Sequence, residues 1–378
     1  MKGLIAHDWI EKDGGAEKVL QSFVEILPNH QVFTLWADKT FSDINQYTRQ
    51  SFLSHLPFRD KKQFVVPLMP LAWKLLPTRD FDWALISTHL FAHHLQIKES
   101  NSMQQKLLYV HTPARYIWEP NLDSRGQNIA VRTASIPLRK IDYRRAQESV
   151  SLSSNSKFIQ ERIRRNWDLD SSVIYPPVEV ERIQSVASWD ELLAAEELDV
   201  LASIPKDFLF GASRLVKYKA MEDVIRVGAW ANLPVVIAGA GPERFNLENQ
   251  AIKLKVPVHF LGRVSSELMN ALFQRSLAYV FPGVEDFGIM PVEAMATGAI
   301  VVANRTGGTS ETIIDRESGF LVDFQDREQC LSALMSAGST VRSAAKKRAM
   351  NFSKEKFESE IISWLQNNGI TVPEVKRV

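Results

Sequence analysis

Phe281-Pro282-Gly283-Val284-Glu285-Asp286-Phe287-Gly288-Ile289-Met290-Pro291-Val292-Glu293-Ala294-Met295-Ala296-Thr297-Gly298 decides how the chain is read. It has the form of a strand end, a glycine-containing loop, and a helix opened by Pro291 at its first position, where a missing N–H costs nothing. Backbone amides in such a loop and first turn have no intrahelical acceptor, so they suit phosphate or sugar oxygens. Glu293 falls about one turn into the helix and Glu285 on the loop before it. Two carboxylates so placed can accept hydrogen bonds from two sets of hydroxyls, for example those of a ribose and a hexose. The plainer alternative is an early-helix glutamate serving the dipole beside a solvated Glu285.

Two neighbouring stretches weigh against the plainer alternative. Gly307-Gly308, in Ala303-Asn304-Arg305-Thr306-Gly307-Gly308-Thr309-Ser310-Glu311, reads as a second backbone-exposing turn between a strand and a helix. Ser213-Arg214-Leu215-Val216-Lys217-Tyr218-Lys219 follows another strand and sets Arg214 and Lys219 where cations can grip a diphosphate.

Working outward, short apolar runs alternate with amphipathic segments along the whole chain. Gly3–Ala6, Gln31–Trp36, Trp83–Ser87 and Leu107–His111 read as strands, with a helix over Ala16–Leu27. Phe208–Ala212, Val235–Gly239, Val258–Phe260, Ala278–Phe281 and Ile300–Ala303 repeat the rhythm. Such alternation implies parallel sheets covered on both faces, with ligands at the carboxyl ends of the strands. The 378 residues exceed what one core usually organises. Two domains are expected, 1–173 and 174–355, joined near the stiff Tyr175-Pro176-Pro177-Val178, with a helix over 356–378 packing back on the first. Residues 120–136 are polar and weakly periodic and are expected to form a mobile loop. Residues 186–206 read as an acidic helical insertion.

With 45% hydrophobic and 24% charged residues, the chain is neither disordered nor collagenous. Net charge is +1, which gives no global field for nucleic acid, although residues 1–175 hold 23 basic against 18 acidic groups and the remainder 22 against 26. A single cysteine, Cys330, excludes an intramolecular disulfide and a cysteine-based zinc site, and favours a cytoplasmic setting. The N-terminal residues lack a signal-peptide run, and the apolar stretch Phe64–Trp73 is far short of the roughly 20 residues that span a bilayer. Within residues 54–76, basic groups beside Phe, Leu, Met and Trp fit an inner-membrane surface or packing on the chain's own domain equally well.

In order and spacing these elements resemble the family-4 retaining glycosyltransferases of GT-B fold, α/β proteins with two Rossmann-like domains whose parallel sheets face a central cleft. The resemblance rests on Glu285 and Glu293, on Arg214 and Lys219, on Ala238-Gly239-Ala240-Gly241-Pro242-Glu243 and on Phe260-Leu261-Gly262-Arg263-Val264. In the first half it rests on His7-Asp8-Trp9, Gly14-Gly15-Ala16-Glu17 and Tyr109-Val110-His111-Thr112-Pro113-Ala114-Arg115-Tyr116-Ile117-Trp118. These are similar to bacterial mannosyltransferases of polysaccharide and lipopolysaccharide synthesis. The resemblance makes 1–173 the acceptor domain and 174–355 the nucleotide-sugar domain. It implies that Arg214 and Lys219 neutralise the donor diphosphate and that Glu293 binds ribose. Glu285 with the backbone of Phe287, Gly288, Ile289 and Met290 would hold the transferred sugar. Gly239, Arg263 and Val264 would lie at the base, Gly14 and Gly15 near the phosphates, and His111 near the reacting carbon. Asp8, His89, Arg115 and Tyr116 are acceptor-side candidates.

Retention would proceed by front-side attack, with no metal and no other cofactor, since permanent cations and the Gly307-Gly308 amides stabilise the leaving diphosphate. The partners expected are a GDP- or UDP-sugar, with GDP-mannose favoured over UDP-glucose, and a glycan or lipid-diphosphate-linked acceptor. A sugar-nucleotide epimerase and a non-catalytic nucleotide-sugar binder are the alternatives. Ser87-Thr88-His89-Leu90-Phe91-Ala92-His93-His94 departs from the relatives, which often carry Lys-Gly there. Its histidines look metal-like, but no carboxylate is near in sequence. Asp168-Leu169-Asp170 has the form of a metal motif in a polar connector and is discounted, as is an RNA groove along 132–145.

Overall fold

A computed structural model describes residues 2–11, 14–38, 47–57, 62–97, 105–119, 129–336 and 338–373, the side chains of 63–64 and 129–134 excepted. The chain forms two compact units, Met1–Pro177 with Glu355–Val378, and Val178–Lys354. The division after Pro177 lies four residues beyond the expected one.

The first unit is built on β1 (Gly3–His7), β2 (Gln31–Thr34), β3 (Thr48–Gln50), β4 (Trp83–Thr88), β5 (Gln105–Val110), β6 (Ser151–Ser154) and β7 (Ser172–Val173). They run parallel in the order β3-β2-β1-β4-β5-β6-β7. β3, β6 and β7 are polar and short, which is why hydrophobic patterning missed them. Both sheet faces are covered. One face packs Leu4, Phe33, Trp73, Ile86, Leu108 and Trp167, and the other Ile5, Phe23, Leu85 and Tyr109. The second layer is completed by the helix Lys354–Asn367, which buries Phe357, Ile361, Trp364 and Leu365. Phe357 stacks on Phe23 at 5.9 Å, and the Trp364 indole N–H donates to the Ser151 hydroxyl at 2.8 Å. That helix stops at Asn367, short of the expected 378, and residues 374–378 lie outside the described ones.

The second unit holds β8 (Leu209–Ala212), β9 (Val235–Ala238), β10 (Val258–Gly262), β11 (Ala278–Phe281), β12 (Val301–Asn304) and β13 (Phe320–Val322), all parallel, in the order β10-β9-β8-β11-β12-β13. Each sheet therefore reverses its strand order once, between β1 and β4 and between β8 and β11. In open parallel sheets loops diverge at such switch points, and ligands bind there outside the carboxyl ends of the strands.

Two readings are corrected. Residues 129–136 are helical, within Ile129–Ala146, because Pro137 falls inside that helix without ending it; residues 120–128 lie outside the described ones. The helix after β11 begins at Ile289, so Pro291 is its third residue. Gly288, at φ 90°, sets the start, and any of the first turn's N–H groups can be dispensed with. Residues 186–206 form a short turn, Trp189–Leu192, and a helix, Ala195–Ser203. Asp168 terminates the helix Lys157–Trp167 in a left-handed conformation, and Asp170 pairs with Arg164 at 2.9 Å.

Candidate functional sites

At the switch point of the second unit, the loops after β8 and β11 meet through charge. The Lys219 ammonium contacts the Glu285 carboxylate, both side chains mostly buried. Arg214 is exposed and its guanidinium donates to the Tyr218 hydroxyl at 2.7 Å, while the Lys219 ammonium lies 5.3 Å from the centroid of the same ring. One aromatic side chain thus carries both cations, Arg214 on its rim and Lys219 over its face.

Backbone packing fixes these loops against each other. The Gly308 N–H donates to the Glu285 carbonyl at 2.8 Å, and a Cβ on Gly308 would stand 2.3 Å from the Phe287 Cα. Gly307, at φ 96°, has equally little room: its Cβ would lie 2.7 Å from the Glu285 carbonyl oxygen. The strand-edge glycine Gly239, at φ 127°, sits where a Cβ would fall 1.8 Å from the Ser213 carbonyl oxygen. Its N–H donates to Gly262, next to exposed Arg263 and half-buried Val264. Phe287 and Gly288 are buried, while Ile289, Met290 and Glu293 are half-buried in the first turns of the following helix. That helix presents its first-turn amides at the end of β11. The Gly307-Gly308 turn leads into a single helical turn, Thr309–Thr312.

The switch point of the first unit is built from a buried carboxylate, a serine and histidine rings. Asp8 is fully buried and accepts from the N–H groups of His89, Leu90 and Phe91, each at 2.8 Å, and from the Thr88 hydroxyl at 3.5 Å. It therefore holds the turn after β4, a task for which a carboxylate with two oxygens is required. His7 and Ser87 are register partners on β1 and β4, and His111 follows β5. The Ser87 hydroxyl bridges two rings, 2.9 Å from His7 Nδ1 and 2.8 Å from His111 Nε2. Burial holds His111 well below the ordinary imidazole range, with His89 and His7 adding to it, and pushes His7 down to about 3. His89 stands edge-on to Trp9 at 4.5 Å, and burial with nearby Lys62 pushes it to about 3. The lowered values leave these rings uncharged at neutral pH, and His7 and His111 still hydrogen-bond through Ser87.

Gly14 caps the helix Gly15–Ile26 and lies under the carboxylate of Glu17, which accepts from the Glu11 N–H at 3.1 Å; Gly15 is exposed. Arg115 and Tyr116 are half-buried on the short helix Arg115–Trp118 that follows His111.

The carboxylate that sequence proximity could not find beside the histidines is Asp142. His93, His94 and Asp142 are buried and bring three potential ligand atoms within 4.8 Å of one another. Asp142 lies 3.0 Å from His93 Nε2 and 3.1 Å from His94 Nε2, and accepts from the indoles of Trp118 at 2.6 Å and Trp167 at 2.8 Å. The two indole donors occupy one oxygen and the two imidazoles the other. This is the geometry of a buried carboxylate satisfied by hydrogen bonds, tying the 92–94 turn to the three helices that carry Trp118, Asp142 and Trp167.

Comparison with known proteins places both halves in context. The family described as "Glycosyl transferases group 1" matches residues 201–350, within the second unit. The D-rhamnosyltransferase WbpZ of Pseudomonas aeruginosa is 40% identical over 124 residues, 31% of this chain and 32% of that protein. A GDP-mannose-dependent alpha-(1-6)-phosphatidylinositol monomannoside mannosyltransferase of Mycolicibacterium smegmatis is 31% identical over 137 residues, 32% of this chain and 36% of that protein. The chain thus spans about a third of the length of these curated relatives. The crystal structure of Anabaena Alr3699/HepE with UDP-glucose covers 97% of this chain and 100% of its own at a TM-score of 0.71 and 18% identity. The two parallel-sheet Rossmann-like domains are accordingly those of the GT-B glycosyltransferase fold.

Proposed function

We propose that the protein is a hexosyltransferase that moves a hexose from a nucleotide sugar to a glycan or lipid-linked saccharide. The observation that carries this reading is the meeting of Lys219 and Glu285 at the β8/β11 switch point, with Arg214 on the neighbouring tyrosine. Breaking a sugar–diphosphate bond places negative charge on the leaving phosphates and positive charge on the anomeric carbon. Arg214 and Lys219 supply fixed positive potential for the first, in a place where it needs no reorganisation during reaction. Glu285 holds Lys219 in position until donor arrives and then accepts from hydroxyls of the transferred sugar, while Glu293 takes the ribose. The first-turn amides of Ile289–Thr297 and the Gly307-Gly308 turn add donors to the oxygens. Arg263 and Val264 stand nearest the base, and His111 meets the sugar as a neutral hydrogen-bonding group. The reaction retains anomeric configuration by front-side attack, the leaving phosphate taking the acceptor proton, without a metal.

GDP-mannose is the proposed donor, supported by the mannosyltransferase relative. UDP-glucose is the second reading, favoured by the neighbour solved with it. A thermal-shift panel of GDP, UDP, ADP and their sugars tests both, since a ligand that prefers the folded state raises the melting temperature. Stabilisation by GDP-mannose and acceptor-dependent GDP release is expected. Release of the nucleotide without acceptor would indicate an epimerase or hydrolase. Proton NMR of the product gives the anomer, and EDTA should leave the rate unchanged.

No helix among the described residues is long and apolar enough to cross a membrane. The reading places the enzyme in the cytoplasm, where it meets a lipid-linked acceptor at the membrane face. Leu68, Leu71 and Leu75 are exposed beside Lys74, on and next to the helix Met69–Leu75 whose other side buries Met69, Ala72 and Trp73. Residues 58–61 of the segment lie outside the described ones.

A further inference from the structure

We propose that Ser87 is a positioning residue that couples the tautomers of His7 and His111, so that the hydrogen-bonding polarity His111 offers to the sugar is set together with the tautomer of His7. The inference rests on the reading in which His111 meets the transferred hexose.

The geometry is that of a three-member relay across the carboxyl ends of β1, β4 and β5. Ser87 is fully buried, and its oxygen lies 2.9 Å from His7 Nδ1 and 2.8 Å from His111 Nε2. A hydroxyl owns one proton, so it can donate to only one of these nitrogens and must accept from the other. When His7 Nδ1 carries its proton, Ser87 donates to His111 Nε2, and His111 holds its own proton on Nδ1. When His7 Nδ1 is bare, every assignment reverses. The two rings therefore change tautomer together or lose a buried hydrogen bond, which costs more than the bond gains in water. Which nitrogen of an imidazole is protonated is set by the bond made at the other, and Ser87 occupies the Nε2 side of His111. Nδ1 is left as the nitrogen that faces other partners. His7 is fully buried, and the rings of His7, His89 and His111 lie 5.6–6.4 Å apart around Ser87, which leaves little freedom of ring plane.

Nitrogen-15 NMR of histidine-labelled full-length protein reads the tautomers directly, without reference to activity. Wild type should show His111 with one protonated and one bare nitrogen. Ser87→Ala should move His111 and His7 toward tautomer averages, lower kcat about tenfold, and change the donor KM by less than about twofold. His7→Asn keeps an amide near the position of Nδ1, so Ser87 retains a partner. It should preserve a single His111 tautomer, and it keeps the idea testable should Ser87→Ala fold poorly. An unchanged His111 spectrum in Ser87→Ala, or averaging in His7→Asn equal to that in a His7→Phe chain, overturns the relay. A changed spectrum with unchanged kcat overturns the positioning role. If His111→Ala is then fully active as well, the fault lies in the reading of His111 itself.

Discussion

The two switch points use opposite electrostatics within the same topology. Seven of the eight histidines lie in the first unit, and those at its strand ends are desolvated and neutral, knit together by Ser87 and by Asp8. The second unit has no histidine at its switch point; it uses lysine, arginine and glutamate on loops locked by glycine-to-backbone packing. A group that must hold a leaving diphosphate needs permanent charge. A group that must direct a neutral sugar hydroxyl needs hydrogen-bonding polarity without charge, and burial of imidazole delivers that.

Acid should separate the two units most strongly. Burial lowers His7 to about 3, His94 to about 4 and His111 well below 6.5, so the unfolded chain binds more protons than the folded one once pH falls below about 6.5. Each such histidine removes about 1.4 kcal/mol of stability per pH unit until its folded value is reached. Glu17 and Glu360, raised by burial, offset part of this. In the second unit Asp223 is raised to about 6, chiefly by burial, so it gains stability as pH falls through that value. Hydrogen exchange at pH 7 and pH 5 should show protection lost along β1 and β4 and kept along β8 and β11. Equal loss in both sheets would break the comparison.

Next in size is turnover. Lys219→Ala or Arg214→Ala should lower kcat by roughly 10²–10³-fold with the fold intact, the usual effect of removing one charge-stabilising donor. Full activity in both variants would remove the assigned role of permanent charge. Asp8→Asn replaces one amide-facing oxygen with an NH2 group and should destabilise the first unit by about 2 kcal/mol, measured by urea denaturation. An unchanged midpoint with lost activity would move Asp8 from turn-holding to acceptor binding. The smallest effect is expected at Ala220, which follows Lys219 in the left-handed region at φ 51°. Ala220→Gly should add up to about 1 kcal/mol, read as a higher melting temperature, and leave kcat within twofold.

Much of this was legible before folding. Strand–helix alternation gave the doubly wound sheets, because parallel strands buried on both faces must be apolar, as Val235–Ala238 and Ala278–Phe281 are. Of the strands that escaped, Ser151–Ser154 is polar and relies on neighbours already in place, while Phe320–Val322 is apolar but only three residues long, too short for a period to show. Arg214, Lys219 and Glu285 were visible as charges just past strand ends, and their pairing was not. Ser87 carried no signal, because a serine closing a strand is indistinguishable from any other until β1 and β5 lie on either side of it.

Local sequence by itself determined which residues stand at strand ends, since burial of the apolar runs leaves no other place for the charged and glycine-rich turns between them. Tertiary structure alone decided which ends are neighbours. The order β2-β1-β4-β5 brings His7, Ser87 and His111 together from positions 80 and 24 residues apart, and a helix brings Asp142 to His94 across 48. The physical reason is range: propensity and hydrophobic period act over a few residues, whereas a hydrogen bond at 2.8 Å requires that the whole sheet has closed.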